Sequence, residues 1–135
     1  SPVLPLNRYD VAHLCNAFAG WLGVWAAYRI GVLLGGPRSG FIVALALVLT
    51  PRYYGHAFNN PKDIPFAAGY LWSLYFLSKG LAASPNLPRK LIFKTGLAIG
   101  LTMGIRVGGV LLLGYLSLFY ALRYLQLSKR TWQPA

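Results

Sequence analysis

Apolar residues in this chain come in runs too long for one small hydrophobic core to absorb, and that feature dictates the solvent the fold must meet. Four blocks stand out, from about Val11 to Leu34, Phe41 to Thr50, Ile64 to Ala83 and Leu91 to Leu125, separated by Pro, Gly and charged residues. Crossing the hydrocarbon of a bilayer as a helix takes roughly 20 apolar residues. The first and third blocks have that length, the second has about half of it, and the fourth is far longer than one span. Arg106 interrupts the fourth, which reads as two short helices meeting at Arg106-Val107-Gly108-Gly109. The expected fold is all-α: a polytopic transmembrane helical bundle with about four to five membrane helices, some short or broken. Residues 1–135 are read as a single transmembrane domain with no separate soluble domain.

Charge sharpens this reading. Lys and Arg number 13 against 2 Asp and Glu, a net charge of +11, yet only 11% of the chain is charged and 56% is hydrophobic. A basic nucleic-acid binder of this size spreads its cations over a polar surface, so no nucleic-acid partner is expected. Placing the Gly35 to Gly40 turn in the cytoplasm brings Arg38, Arg89, Lys90, Lys94, Arg123, Lys129 and Arg130 to or near that side, as the positive-inside bias favours. Arg8, Arg52, Lys62, Arg106, His56 and both carboxylates, Asp10 and Asp63, then fall on the other side. Arg29 and Lys94, nearer the cytoplasmic ends, read as cations snorkelling to head groups. The chain opens on Ser1 without a basic n-region and short apolar core, which suggests an internal fragment rather than a cleavable signal. Cys15 is the only cysteine, which excludes an intrachain disulfide and a Cys-based metal site.

The richest polar stretch is Arg52 to Asp63, holding Arg52, His56, Asn59, Asn60, Lys62 and Asp63 between apolar blocks. It reads as a polar loop after a helix that stops at Pro51. Polar backbone beside lipid is tolerated where protein covers it or where it lines a wet cavity, which makes this segment a candidate site near the membrane surface; an exposed loop is the plainer alternative. Asp63, just before Ile64 and Pro65, suits a helix N-cap, and equally a proton acceptor, a cation ligand or a partner for Lys62 or Arg52. Arg106 is costly in an apolar block without a counter-charge, and its planar fork suits a phosphate. Gly96, Gly100, Gly104 and Gly108 recur every fourth residue, a ridge against which another helix packs closely. Asp10 and His13, three apart, are close enough to hydrogen-bond on one helix face. No metal site is expected from that pair, which offers too few ligands.

The segment from Pro51 to Ala67, with Gly96-Leu97-Ala98-Ile99-Gly100 and Arg106-Val107-Gly108-Gly109, resembles bacterial members of glycosyltransferase family 39. These are polytopic GT-C enzymes that include protein O-mannosyltransferases and lipid A aminoarabinose transferases. The resemblance implies transfer of a sugar from a polyprenyl-phosphate-linked donor to a protein, lipid or glycan acceptor, with an extracytoplasmic active site in the bacterial inner membrane. It implies that the principal catalytic carboxylate precedes Ser1. It makes Asp63 similar to the second acidic position, a catalytic-site carboxylate acting on the acceptor or through its charge. Arg106 resembles the basic residue near the carrier phosphate, often Lys in the family. Arg52, His56, Asn59, Asn60 and Lys62 would line the same cavity as substrate-binding residues, the Asn amides suiting sugar hydroxyls. The sequence by itself neither names nor requires a cofactor, and a divalent cation stays open. Readings from other classes are a transporter or flippase segment that binds an anionic substrate at its broken helix, and a non-catalytic membrane subunit.

Overall fold

The computed structural model describes residues 7–131. Among them the chain is helical with no strand: α1 (Arg8–Leu49), α2 (Pro51–Asn59), α3 (Asp63–Ala83), α4 (Arg89–Ile105), a single 3-10 turn (Val107–Gly109) and α5 (Val110–Thr131). The side chains of Lys129 and Arg130, assigned to the cytoplasmic end above, lie outside the described ones. Two of these segments, Arg8–Leu49 and Val107–Ser128, are long and apolar enough to cross a membrane.

α1 is two helical arms rather than one rod. Gly36 has φ 82° and ψ −176°, a backbone conformation essentially reserved for glycine, and Pro37 starts the second arm. The reversal is so tight that a Cβ built on Gly31 would lie 2.7 Å from Gly40 Cα. The turn expected over Gly35 to Gly40 is thus narrowed to one residue, with Ser39 and Gly40 already helical. The second arm climbs back along the first until Thr50, whose backbone is extended, and Pro51 then opens α2.

That opening corrects the sequence reading. Pro51 does not end a helix before a polar loop; it occupies the first turn of a new one, where the missing N–H costs nothing. Arg52 to Asn59 are therefore helical, and only Asn60 to Lys62 form the connection to α3.

α2 packs antiparallel on the first arm. His13 Nδ1 donates to the Phe58 carbonyl, Asn16 Nδ2 to the His56 carbonyl at 3.3 Å, and Tyr53 Oη to the Gly20 carbonyl at 2.8 Å. His13 is thereby committed to α2, while Asp10 accepts the Asn7 backbone N–H at 3.3 Å, so the two do not pair with each other. α3 runs parallel to the first arm, joined by Trp72 Nε1 donating to the Leu22 carbonyl at 3.1 Å and Arg29 donating to Tyr75 Oη at 2.8 Å. Gly20 lies between Ala57 of α2 and Ile64 of α3.

α4 returns antiparallel to α3, with Thr102 against Gly69 and Ser73. It ends at Ile105; Arg106 is extended (φ −155°, ψ 142°), and α5 descends with Gly108 by Phe66 and Tyr120 by Gly80. The break predicted at Arg106 to Gly109 is present. Of the glycine ridge, Gly108 meets Phe66, but Gly96, Gly100 and Gly104 are not on the face of α4 that packs among the described residues. A Cβ on Gly96, Gly100 or Gly104 would meet nothing within 4 Å, whereas Thr95, Ile99 and Thr102, at i, i+4 and i+7, are buried against α3. The Thr95 and Thr102 hydroxyls donate to the carbonyls four residues earlier, so their polar groups are satisfied inside the packed stripe.

Replacing Gly36 with Ala is expected to destabilise the protein by about 1–3 kcal/mol, because Ala must adopt the glycine conformation. Gly100→Ala should leave stability unchanged or slightly raised. Thermal unfolding of both variants in detergent micelles checks this contrast.

Candidate functional site

One end of the bundle gathers the polar residues. Asp63 is the first residue of α3, but the helix carries no side-chain cap there, so its carboxylate is not used as an N-cap. The capping role falls to Asn60, whose Oδ1 accepts the backbone N–H groups of Lys62 at 3.3 Å and Asp63 at 3.1 Å. The same Asn60 turns its Nδ2 to Asp63 Oδ2, at 2.7 Å. The other carboxylate oxygen takes the guanidinium of Arg106, through Nη1.

This ion pair joins residues 43 apart in sequence, the start of α3 and the break between α4 and α5. Arg106 gets there because the helix stops at Ile105 and the extended backbone at Arg106 re-aims its side chain. Both partners remain open to their surroundings, at 60% exposure for Arg106 and 51% for Asp63. Among the described residues only Nη1 of the five-donor guanidinium is engaged, which leaves the rest of the fork for another anion.

Beside the pair lies a cavity of about 350 Å³ between the second arm of α1, α2 and α3. Arg52, His56 and Asp63 line it, with Tyr53 and Thr50. The Thr50 hydroxyl donates to the Ala46 carbonyl at 2.8 Å, so the kink at Pro51 leaves that carbonyl paired. Of the residues singled out in the sequence, Arg52, His56, Asn60, Asp63 and Arg106 are thus brought together. Asn59 and Lys62 are exposed at the α2–α3 connection, and their side chains make no hydrogen bond or ion pair among the described residues. Among the described residues no three His, Cys, Asp or Glu side chains cluster as a metal site would require.

Two residues were missed from the sequence. Tyr53 anchors α2 to the first arm, and Asn16, 3% exposed, holds the His56 carbonyl while its own Oδ1 has no partner among the described atoms. Asn16 carries a signal in principle, being a lone amide in an apolar run, whereas Tyr53 looks like any interfacial aromatic.

Because the ion pair is exposed, its coupling should be only about 0.2–1 kcal/mol. Asp63→Asn and Arg106→Gln, alone and together, are therefore expected to leave the fold intact. A double-mutant cycle on thermal unfolding in detergent measures the coupling.

The family model described as dolichyl-phosphate-mannose-protein mannosyltransferase matches residues 6–133. No curated protein and no solved structure matches the chain.

Proposed function

The chain belongs to the dolichyl-phosphate-mannose-protein mannosyltransferase family, membrane glycosyltransferases of the GT-C type, and from this premise we propose that the Asp63–Arg106 end binds the phosphate and sugar of a polyprenyl-phosphate-linked donor. The observation that carries the proposal is the ion pair itself. One of only two carboxylates in the chain meets an arginine that has free N–H donors, at the lip of a cavity also lined by Arg52 and His56.

In the proposed reaction an acceptor oxygen attacks the anomeric carbon. The bond from that carbon to the carrier phosphate breaks, and the leaving phosphate takes the electron pair. Arg106 acts on this developing charge, its planar fork reaching two phosphate oxygens where an ammonium would place a single point charge. Asp63 sets the position of Arg106 and, with Asn60, presents acceptors and donors suited to hydroxyl groups. Phosphate is a good leaving group, so little acid assistance is needed. The acceptor oxygen gives up its proton to a general base.

The same geometry supports a transfer site on the extracytoplasmic face. Arg29, Lys79, Arg89, Lys90 and Lys94 sit toward the opposite end of their helices from Asp63, and the positive-inside bias puts such a basic end in the cytoplasm.

Arg106→Ala in the full-length protein should raise the KM for the lipid donor by about ten- to a hundredfold, the value of a lost charge-assisted hydrogen bond, and Arg106→Lys should recover part of it. Asp63→Asn should lower kcat by about a hundredfold with unchanged folding. Transfer assays across a panel of polyprenyl-phosphate sugars read both effects. An unaltered donor KM in Arg106→Ala removes this residue from the phosphate site.

A further inference from the structure

Away from the Asp63–Arg106 end, an open groove of about 430 Å³ runs lengthwise between the first arm of α1, α3 and α4. Its walls are apolar: Leu22 from α1, Trp72 and Phe76 from α3, and Leu101 and Ile105 from α4. The one charged residue in the lining is Lys94. From Ile105 to Lys94 the groove covers three turns of α4, about 16 Å at 1.5 Å per residue. Its Ile105 end adjoins Arg106; its Lys94 end lies toward the opposite surface.

At that far end the other two helices also bring cations. Lys79 follows Trp72 by seven residues and Phe76 by three, which keeps it on the groove-facing side of α3. Arg29 follows Leu22 by seven on α1. Both gather on one ring, with Arg29 Cζ 5.3 Å and Lys79 Nζ 5.6 Å from the centroid of Tyr75. Tyr75 is buried and packs in turn on the groove aromatics Trp72 and Phe76. Arg29, Lys79 and Lys94 are all exposed.

None of the three has a carboxylate within the chain to balance it. The only acidic residues are Asp10, in the first turn of α1, and Asp63, the first residue of α3. Asp63 and Lys79 are sixteen residues apart on one helix, about 24 Å, most of the hydrocarbon thickness of a bilayer. Two cations share one neutral ring and a third lies on the adjoining helix, so this end carries positive charge with no internal counter-charge.

We infer that the groove is a binding site for one anionic phospholipid of the leaflet opposite Asp63, its head-group phosphate held among Arg29, Lys79 and Lys94 and one acyl chain lying along Phe76, Trp72 and Leu101 toward Ile105. Charge complementarity selects the head group, and the apolar length of the groove selects the chain. Lys94 lines the groove itself, and the helical register of Arg29 from Leu22 and of Lys79 from Trp72 and Phe76 puts two more cations toward the same end. The site is independent of the donor site, since its head group sits at the other end of the bundle.

The test uses the full-length protein purified in detergent from membranes containing zwitterionic and anionic phospholipids, with retained lipid identified by native mass spectrometry. One anionic phospholipid per chain is expected. Each cation near an anionic head group is worth about a fivefold change in affinity, so Lys94→Gln should weaken retention about fivefold and the triple variant Arg29→Gln, Lys79→Gln, Lys94→Gln about a hundredfold. Leu101→Trp, which fills the groove and leaves every charge in place, should also displace the lipid. It keeps the test decisive if loss of the Arg29–Tyr75 bond unfolds the triple variant. Arg38→Gln and Arg89→Gln, basic residues outside the groove, should have no effect. Retention of a neutral lipid or of a polyprenyl phosphate in place of the phospholipid, equal loss in the Arg38 and Arg89 variants, or full retention in Leu101→Trp overturns the inference.

Discussion

A backbone that must pair its own polar groups, in a chain with almost no acid to balance its cations, governs everything else in this structure. Helix satisfies the backbone in lipid, so each departure from helix has to bring its own partners or lie near water. Asn60 takes two N–H groups at the start of α3 and the Thr50 hydroxyl takes the Ala46 carbonyl at the Pro51 kink. The Arg106 carbonyl accepts from Gly109 N–H at 3.0 Å where α4 gives way to α5. These breaks also release side chains from the helical register, which is how Arg106 reaches Asp63. The polar site is thus a by-product of how the helices are allowed to end.

Close backbone approach replaces a conventional core. Few large side chains are fully buried, and the buried set includes Ala26, Ala27, Ala68 and the hydroxyls of Ser73 and Thr102. Small residues let helices meet without a hydrophobic driving force, which apolar surroundings cannot supply between them. The Gly31–Gly40 apposition, which holds the two arms of α1 together, and the seating of Gly20 between Ala57 and Ile64, which holds α2 and the start of α3 against the first arm, are the sharpest cases.

Much of this was legible in the sequence because hydropathy and helix breakers are local. The block from Ile64 to Ala83 corresponds to α3, and the interruption at Arg106 to Gly109 falls where the helix stops. Pro51 was misread since proline carries two meanings, terminator and first-turn residue, and only the conformation of the residues after it decides between them. The glycines from Gly96 to Gly104 show a stripe without showing whether anything meets it; the stripe that packs is the neighbouring Thr95, Ile99 and Thr102. Asp63 looked like a cap because its local context is that of a cap. Its partner Arg106 is nonlocal, and Asn60, which displaced it from capping, becomes decisive only through geometry.

The ion pair also bears on how a phosphate donor would be bound and released. A guanidinium at a membrane surface loses solvation when a substrate covers it, a cost that a nearby counter-charge offsets. In the proposed donor site Asp63 would supply that counter-charge, while the free donors on the guanidinium would allow the phosphate to join or replace the carboxylate. Asp63 holds Arg106 in position, and under the proposed function it would also keep Arg106 from holding the spent phosphate too tightly. At the opposite end of the bundle Arg29, Lys79 and Lys94 have no such internal competitor, so an anion bound there is held rather than exchanged, which is the behaviour of a resident lipid and not of a turning-over substrate.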